Sequence, residues 1–173
     1  MTNSRTIDGI DRQIVTLLQE NARVTQAEIA KAVGLAPSAV LERIRKLEAR
    51  SVVTGYVALV DPHVVDLRML AFVAVRTNVV GDKEREVASR LAAIPEVLEV
   101  HHVAGEDCLL LKMRARDAEH VGALLRNQVS AIPGVSSTRT TIVLGSMKES
   151  PRLPIALENE DQEEEVGVAG RAL

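Results

Sequence analysis

Three stretches at the start of the chain repeat apolar residues at helical spacing. Ile10, Ile14, Leu17 and Leu18 recur at i, i+4, i+7 and i+8, Ile29 and Val33 follow in a second segment, and Val40, Ile44 and Leu47 in a third, so each segment has one face to bury. Between the second and third, Gly34 is able to turn left-handed without a Cβ clash, and Pro37 stands where the third helix should begin, where a missing N–H costs little. The pattern predicts three helices around one core, the last two arranged as a helix-turn-helix. Residues 51–60 (SVVTGYVALV) are β-branched and broken by Gly55, which predicts a short hairpin or wing leading into an extended linker that ends at Asp61-Pro62.

Farther on, the rhythm changes. Residues 69–77 (MLAFVAVRT), 97–103, 109–115 and 135–144 read as strands, and 82–94 and 117–132 as amphipathic helices. The order βαββαβ predicts a ferredoxin-like domain, with helices on one face of a four-stranded antiparallel sheet. Ile94-Pro95-Glu96-Val97 and Ile132-Pro133-Gly134-Val135 mark the two helix-to-strand turns, since proline stops each helix and hands over to an extended residue. Phe72, Ala74 and Arg76 alternate with Ala71, Val73 and Val75, so the first strand is apolar on both sides. A second copy of the sheet would cover the free face, which predicts a dimer. The fold class is therefore α+β, divided into a winged helix-turn-helix domain at 1–52, a linker at 53–66, a ferredoxin-like domain at 67–149 and a tail at 150–173.

Composition adds a location and a charge map. A chain of 173 residues that is 46% hydrophobic can bury two small cores. It has no apolar run near the roughly eighteen residues that span a bilayer, and its start, MTNSRTIDG, is unlike a signal peptide; a cytoplasmic protein with no membrane partner is expected. The single cysteine, Cys108, cannot form an internal disulfide, which fits a reducing compartment. The net charge of −3 is unevenly spread, with +2 over residues 1–60, −1 over 61–150 and −4 over 151–173. The acidic excess sits in ENEDQEEE at 158–165, and the tail is expected to be disordered and chiefly solubilising.

The basic excess lies on the helix-turn-helix. Arg43, Lys46 and Arg50, at i, i+3 and i+7, form a stripe beside the apolar one, so one side can face a core and the other the phosphates of double-stranded DNA. Near the start of that helix Ser38 and Ala39, with Glu42 and Arg43, are the candidates to reach base edges, while Arg45, Lys46 and Arg50 are the candidates to hold phosphates. Catalysis is not expected: His101, His102, Asp107 and Cys108 are the only cluster with metal or nucleophile chemistry, neighbouring strand residues point to opposite faces, and no metal, phosphate-loop or dinucleotide motif occurs. A sheet that lacks an aromatic platform to stack bases argues against RNA.

Asp8-x-x-Asp11-Arg12-x-Ile14, Asn21-Ala22-Arg23, Glu28-Ile29-Ala30, Gly34-Leu35-x-Pro37-Ser38-x-Val40, Arg43-Ile44-x-Lys46-Leu47-Glu48 and Gly55-Tyr56-x-Ala58 together resemble the amino-terminal half of the Lrp/AsnC, or feast/famine, family of transcription regulators. The second half is similar to the ligand-responsive domain of the same family, so the resemblance covers residues 5 to 149. It implies a sequence-specific regulator that pairs through its carboxy-terminal sheets, assembles as a dimer, tetramer or octamer, and answers to a small effector, an amino acid, bound between subunits near a Gly-x-x-Asp loop. In this chain the loop is Val103-Ala104-Gly105-Glu106-Asp107-Cys108; Cys108 stands at the family's aspartate position, with carboxylates one and two places earlier. Gly105, Glu106, Asp107 and Cys108, with Thr138 and Thr140 of the last strand, are therefore the expected effector residues. The scarcity of aromatics favours a small or aliphatic amino acid. Two further departures are Ala36 in place of a capping serine before Pro37, and Ser51 in place of the glycine after the recognition helix. The competing reading is a low-specificity DNA-compacting protein.

Overall fold

Asp8 starts the first helix, α1 (Gly9–Glu20), by accepting the main-chain N–H of Asp11 at 2.7 Å, one of the donors that a helix start leaves open. Thr25 and Glu28 cap α2 (Gln26–Val33) reciprocally: the Thr25 hydroxyl accepts from the Glu28 N–H and the Glu28 carboxylate accepts from the Thr25 N–H. Gly34, at φ 69°, ends it. The third helix, α3 (Pro37–Ala49), begins at Ala36 with no side-chain cap. This computed structural model describes residues 7–105 and 107–157, and they fall into two units, one drawn from the first 58 residues and the segment from Ser150, the other Leu59–Glu149.

In the first unit Ile14, Ile29, Val40 and Leu47 have no more than 1% of their surface exposed, and Ile10, Leu17, Leu18, Val33 and Ile44 pack around them. These are the periodic positions that predicted the helices. Truncating Leu47 to alanine would cost about 2–5 kcal/mol. The end of α3 departs from expectation in an instructive way. Ser51 itself adopts the left-handed conformation, φ 54°, its N–H donating to Glu48 O at 2.9 Å while the Val52 N–H donates to Leu47 O at 2.9 Å. These two bonds are a Schellman termination built without glycine. The wing expected at 51–60 is not formed: no residue from 51 to 68 lies in a strand. Instead Tyr56 donates its hydroxyl to Glu48 at 2.9 Å, and burial together with that carboxylate pushes the phenol up to about 12.

In the second unit the expected order holds: β1 (Met69–Thr77), α4 (Asp82–Ala92), β2 (Val97–His102), β3 (Leu109–Ala115), α5 (Ala118–Leu124) and β4 (Val135–Ile142). The strands lie in the order β2-β3-β1-β4, all antiparallel. The expected second helix is irregular at its end, where α5 continues into a π-helical turn at Leu125–Val129, with the Ser130 N–H reaching back five residues to Leu125 O. Ala71, Val73, Val75, Leu111 and Met113 are fully buried against Val87, Leu91, Val121, Leu124 and Val129 from the helices. On the opposite face Phe72 keeps 36% of its surface exposed, beside an ion-pair net in which Lys112 meets Glu99 and Glu149 at 3.2 and 2.7 Å and Arg114 meets Glu149 at 2.6 Å.

The described part of the chain from Ser150 lies against α1. Residues 151–157 carry no helix or strand and run along α1: the Gln19 side chain accepts from the Leu153 N–H at 2.8 Å and donates to the Leu153 carbonyl at 3.1 Å. The acidic run at 158–165 lies outside the described residues. Among the described residues no helix is long and apolar enough to cross a membrane.

Candidate functional site

The packing of α3 on α1 and α2 leaves one of its sides outward. Ala39, Glu42, Arg43, Lys46 and Arg50 line a shallow hollow of ≈ 240 Å³ together with Asp11 of α1, as their spacing of three, four and seven residues requires. Ser38, Glu42, Arg45, Lys46 and Arg50 are exposed and Ala39 half-buried. Ser38 and Arg45 do not line the hollow; they stand to one side of it, roughly 100° around the helix.

Within this group Arg43 is committed to the domain itself. Its guanidinium donates to Asp8 at 2.8 Å and to Asp11 at 2.7 Å, linking the first turn of α1 to the middle of α3. The Asp11 backbone N–H and then Arg43 hold the Asp8 carboxyl below the usual carboxylate range, and the two carboxylates raise the affinity of Arg43 for its proton. Reading a base would require this guanidinium to leave two carboxylates, so its geometry suits setting the angle of α3. Sequence periodicity placed Arg43 on the same face of α3 as Lys46 and Arg50 and missed its partners. Glu42 is engaged more loosely, in an exposed pair with Lys46 at 2.6 Å, which lowers its pKa.

On the sheet, the loop after β2 and the start of β4 form a second hollow, of ≈ 570 Å³, lined by Arg76, Val103, Ala104, Gly105, Asp107, Ser137, Thr138 and Arg139. Gly105, at φ 137°, takes a conformation that side chains rarely adopt. The loop is closed by the Val103 N–H donating to Cys108 O at 3.0 Å, and is tied to β1 by the Cys108 N–H donating to Val75 O at 3.1 Å. Asp107 is the centre of the site. Arg139 approaches it to 2.6 Å and Arg76 to 3.9 Å, leaving its side chain 22% exposed. A register shift between Arg76 and Thr77 in the β1–β4 ladder lies beside this hollow, a common way to re-aim side chains next to a site.

Of the six expected effector residues, Gly105, Asp107 and Thr138 line the hollow together. Cys108 and Thr140 are not among its lining residues: Cys108 packs against the buried core, and Thr140 pairs with Val73 farther along the strand. Glu106 lies outside the described residues. Arg76, Ser137 and Arg139 were missed. The strand alternation put Arg76 on the same face as Phe72 and Ala74, but only the cross-strand register brings Arg139 opposite Ala74 and so near the loop. His101 and His102 diverge as adjacent strand residues must, toward Glu99 at 3.0 Å and Glu84 of α4 at 3.7 Å, and among the described residues no group of side chains is arranged to hold a metal ion.

Comparison with known proteins matches both units. Residues 7–48 fit the AsnC-type helix-turn-helix domain and residues 70–153 the Lrp/AsnC ligand binding domain. An HTH-type transcriptional regulator of Pyrococcus horikoshii is 40% identical over 149 residues, covering 86% of this chain and 97% of its own. The leucine-responsive regulatory protein of Escherichia coli is 37% identical over 150 residues, covering 86% and 92%. Among solved structures, a transcriptional regulator of Neisseria meningitidis in complex with L-Met superposes with a TM-score of 0.81 at 32% identity, over 86% of this chain and 97% of that one. The feast or famine regulatory protein of M. tuberculosis complexed with L-methionine gives 0.79 at 36% identity, over 87% and 100%. With a DNA-reading helix pair at one end and the sheet of a ligand-binding domain at the other, the chain belongs to the Lrp/AsnC family of transcriptional regulators.

Proposed function

We propose that this regulator binds its operator as a homo-oligomer and that an amino acid, seated against Asp107, shifts its affinity or assembly. The observation that carries the reading is the Asp107 carboxylate, held between Arg139 and Arg76 in a hollow beside Gly105 and Thr138. An α-amino acid presents an ammonium that needs an acceptor and a carboxylate that needs donors. Asp107 serves as the acceptor; the Thr138 hydroxyl, the guanidiniums and the main chain beside Gly105 serve as donors. Two relatives of the same fold are complexes with methionine, which supports a small or aliphatic side chain.

On DNA, Ser38, Ala39 and Glu42 reach base edges while Arg45, Lys46 and Arg50 hold phosphates, and Arg43 holds the helix at its angle. Two chains paired through the open sheet face around Phe72 present two recognition helices to successive major grooves, about one helical turn apart, so the operator is an imperfect palindrome. The effector then favours one arrangement of the pair, a coupling typically worth about 1–3 kcal/mol. The test is fluorescence anisotropy of a labelled fragment from upstream of the protein's own gene against a scrambled duplex, at fixed salt, with and without a pool of amino acids. Preference for the native fragment that moves with the pool supports the reading; equal and unmoved binding to both favours a DNA-compacting protein.

A further inference from the structure

Two carboxylates, Asp11 and Glu42, are among the residues that line the hollow of α3. Asp11 is buried and held by Arg43 at 2.7 Å, so its charge is answered inside the folded unit. Glu42 stands in the open. Its side chain is 68% exposed and pairs with Lys46, four residues on and itself 66% exposed, at 2.6 Å. The Lys46 hydrogen bond holds the Glu42 carboxyl below its usual range, so the group is an anion at neutral pH. A pair this exposed adds little to stability, and its two members separate at small cost. An anion on a face that meets DNA is repelled by every phosphate near it. Its presence there calls for a donor on the DNA, and the donors of the major groove lie on the bases.

The base edges narrow the choice to one. In the major groove guanine presents acceptors, thymine an acceptor and a methyl group, adenine an acceptor beside an amino donor, and cytosine an amino donor alone. An ionised carboxylate only accepts. It is repelled by the edges of guanine and thymine and opposed by adenine N7, whereas cytosine N4 has no opposing lone pair on its own edge. The surroundings of Glu42 leave room for that approach. Ser38 and Ala39, four and three residues earlier, are both short, and a helical side chain lies over the turn before its own. Lys46 and Arg50 line the same hollow, about 6 and 12 Å farther along the helix axis. With the first turns of α3 in the groove, Glu42 meets base edges and the two cations are left for the flanking phosphates.

We infer that Glu42 selects a cytosine in each half of the operator: on docking, Lys46 leaves Glu42 for a phosphate, and the freed carboxylate accepts a hydrogen bond from the N4 amino group of cytosine. At any other base the carboxylate meets an acceptor after losing its cation, so Glu42 acts by rejecting wrong sequences as much as by holding the right one. The inference rests on the reading of α3 as the helix that enters the groove and is independent of the effector reading.

The test selects bound duplexes from a randomised pool with the full chain, without amino acids, and compares parent, Glu42→Ala, Glu42→Gln and Lys46→Ala. The parent motif should carry a cytosine in each half, preferred over every other base by at least about fivefold in direct binding. Glu42→Ala should lose the preference at that position and keep the rest of the motif, while binding a scrambled duplex at least as tightly as the parent. Glu42→Gln should move the position toward adenine, whose N6 and N7 an amide can pair together. Lys46→Ala should keep the cytosine, weaken binding to all sequences alike and lower the salt slope by about one. A parent that selects no sequence removes the reading of α3 and this inference with it. A parent motif that both Glu42 variants leave unchanged at every position overturns the inference alone. So does loss of the cytosine in Lys46→Ala, because the lysine would then be reading the guanine paired with it.

Discussion

Arginine and carboxylate meet at both sites of this protein in opposite stoichiometry. In the N-terminal unit one guanidinium, Arg43, is shared by two carboxylates from another helix, with Arg43 31% and Asp11 12% exposed. On the sheet one carboxylate, Asp107, is shared by two guanidiniums, and Arg139 is 78% exposed. The first cluster satisfies a cation inside a folded unit and ties two helices together. The second holds a carboxylate between solvent-exposed partners, which on the proposed reading a ligand's ammonium displaces at modest cost. On the proposed reading the same pair of functional groups acts as a brace in one place and as a receptor in the other.

The largest expected effect is on the receptor. Asp107→Asn should lower affinity for the effector by at least about tenfold, the worth of a charge-assisted hydrogen bond, with no appreciable change in stability, because its arginines are hydrated without it. Calorimetric titration with L-methionine, together with thermal unfolding, checks both halves; a stability loss with affinity unchanged would make Asp107 a brace as well.

At the brace the order reverses. Arg43→Ala should destabilise the N-terminal unit by about 1–2 kcal/mol, leaving the buried Asp11 without its cation, whereas Arg45→Ala should stay within about 0.5 kcal/mol and weaken DNA binding alone. Hydrogen exchange of α1 and α3 amides reports the first unit separately from the second. Acid sharpens the same contrast. The folded-state pKa of Asp8 lies below its ordinary value of 3.8, so its contribution is complete above that pH and is lost as pH falls through the lowered value. Parent protein should therefore lose protection in α1 below about pH 4 more steeply than Arg43→Ala, which has already lost one of the causes of the shift.

The smallest effects lie at the two ends of α3. Ser51→Gly removes the strain of a left-handed serine and should stabilise the unit by about 1 kcal/mol. Ala36→Ser supplies the missing cap and should add about 0.5–1 kcal/mol. Urea denaturation followed by helical circular dichroism measures both. If neither change stabilises, the ends of α3 are already satisfied by contacts other than those described.

What was legible in the sequence is what depends on period. Ile14, Ile29, Val40 and Leu47 proved to be the core, and the alternation in 69–77 separated the two faces of β1, of which Ala71, Val73 and Val75 form the buried one, because a helix or strand converts spacing directly into direction. The stripe of Arg43, Lys46 and Arg50 was visible for the same reason. What escaped depends on how elements meet. The partners of Arg43 follow from the crossing of α1 and α3, and the approach of Arg139 to Asp107 follows from the register between β1 and β4. The wing was misread because β-branched residues favour extended backbone whether or not a partner strand exists. The end of α3 shows the converse: glycine is the usual left-handed residue, yet the two bonds to Glu48 and Leu47 carbonyls hold Ser51 there. The packing of residues 151–157 on α1 left no mark in hydropathy, since its contacts pair main-chain groups with polar side chains of Gln19, Arg152 and Arg12.

The central claim is that the Asp107 hollow and the recognition helix belong to one coupled device, and linkage tests it directly. The measurement is the Kd for the upstream fragment with and without saturating L-methionine, set against the Kd for L-methionine with and without the fragment. Coupling gives two equal ratios different from one, both returning to one in Asp107→Asn. Methionine binding that requires Asp107 yet leaves DNA affinity unchanged, with both ratios at one, would contradict it.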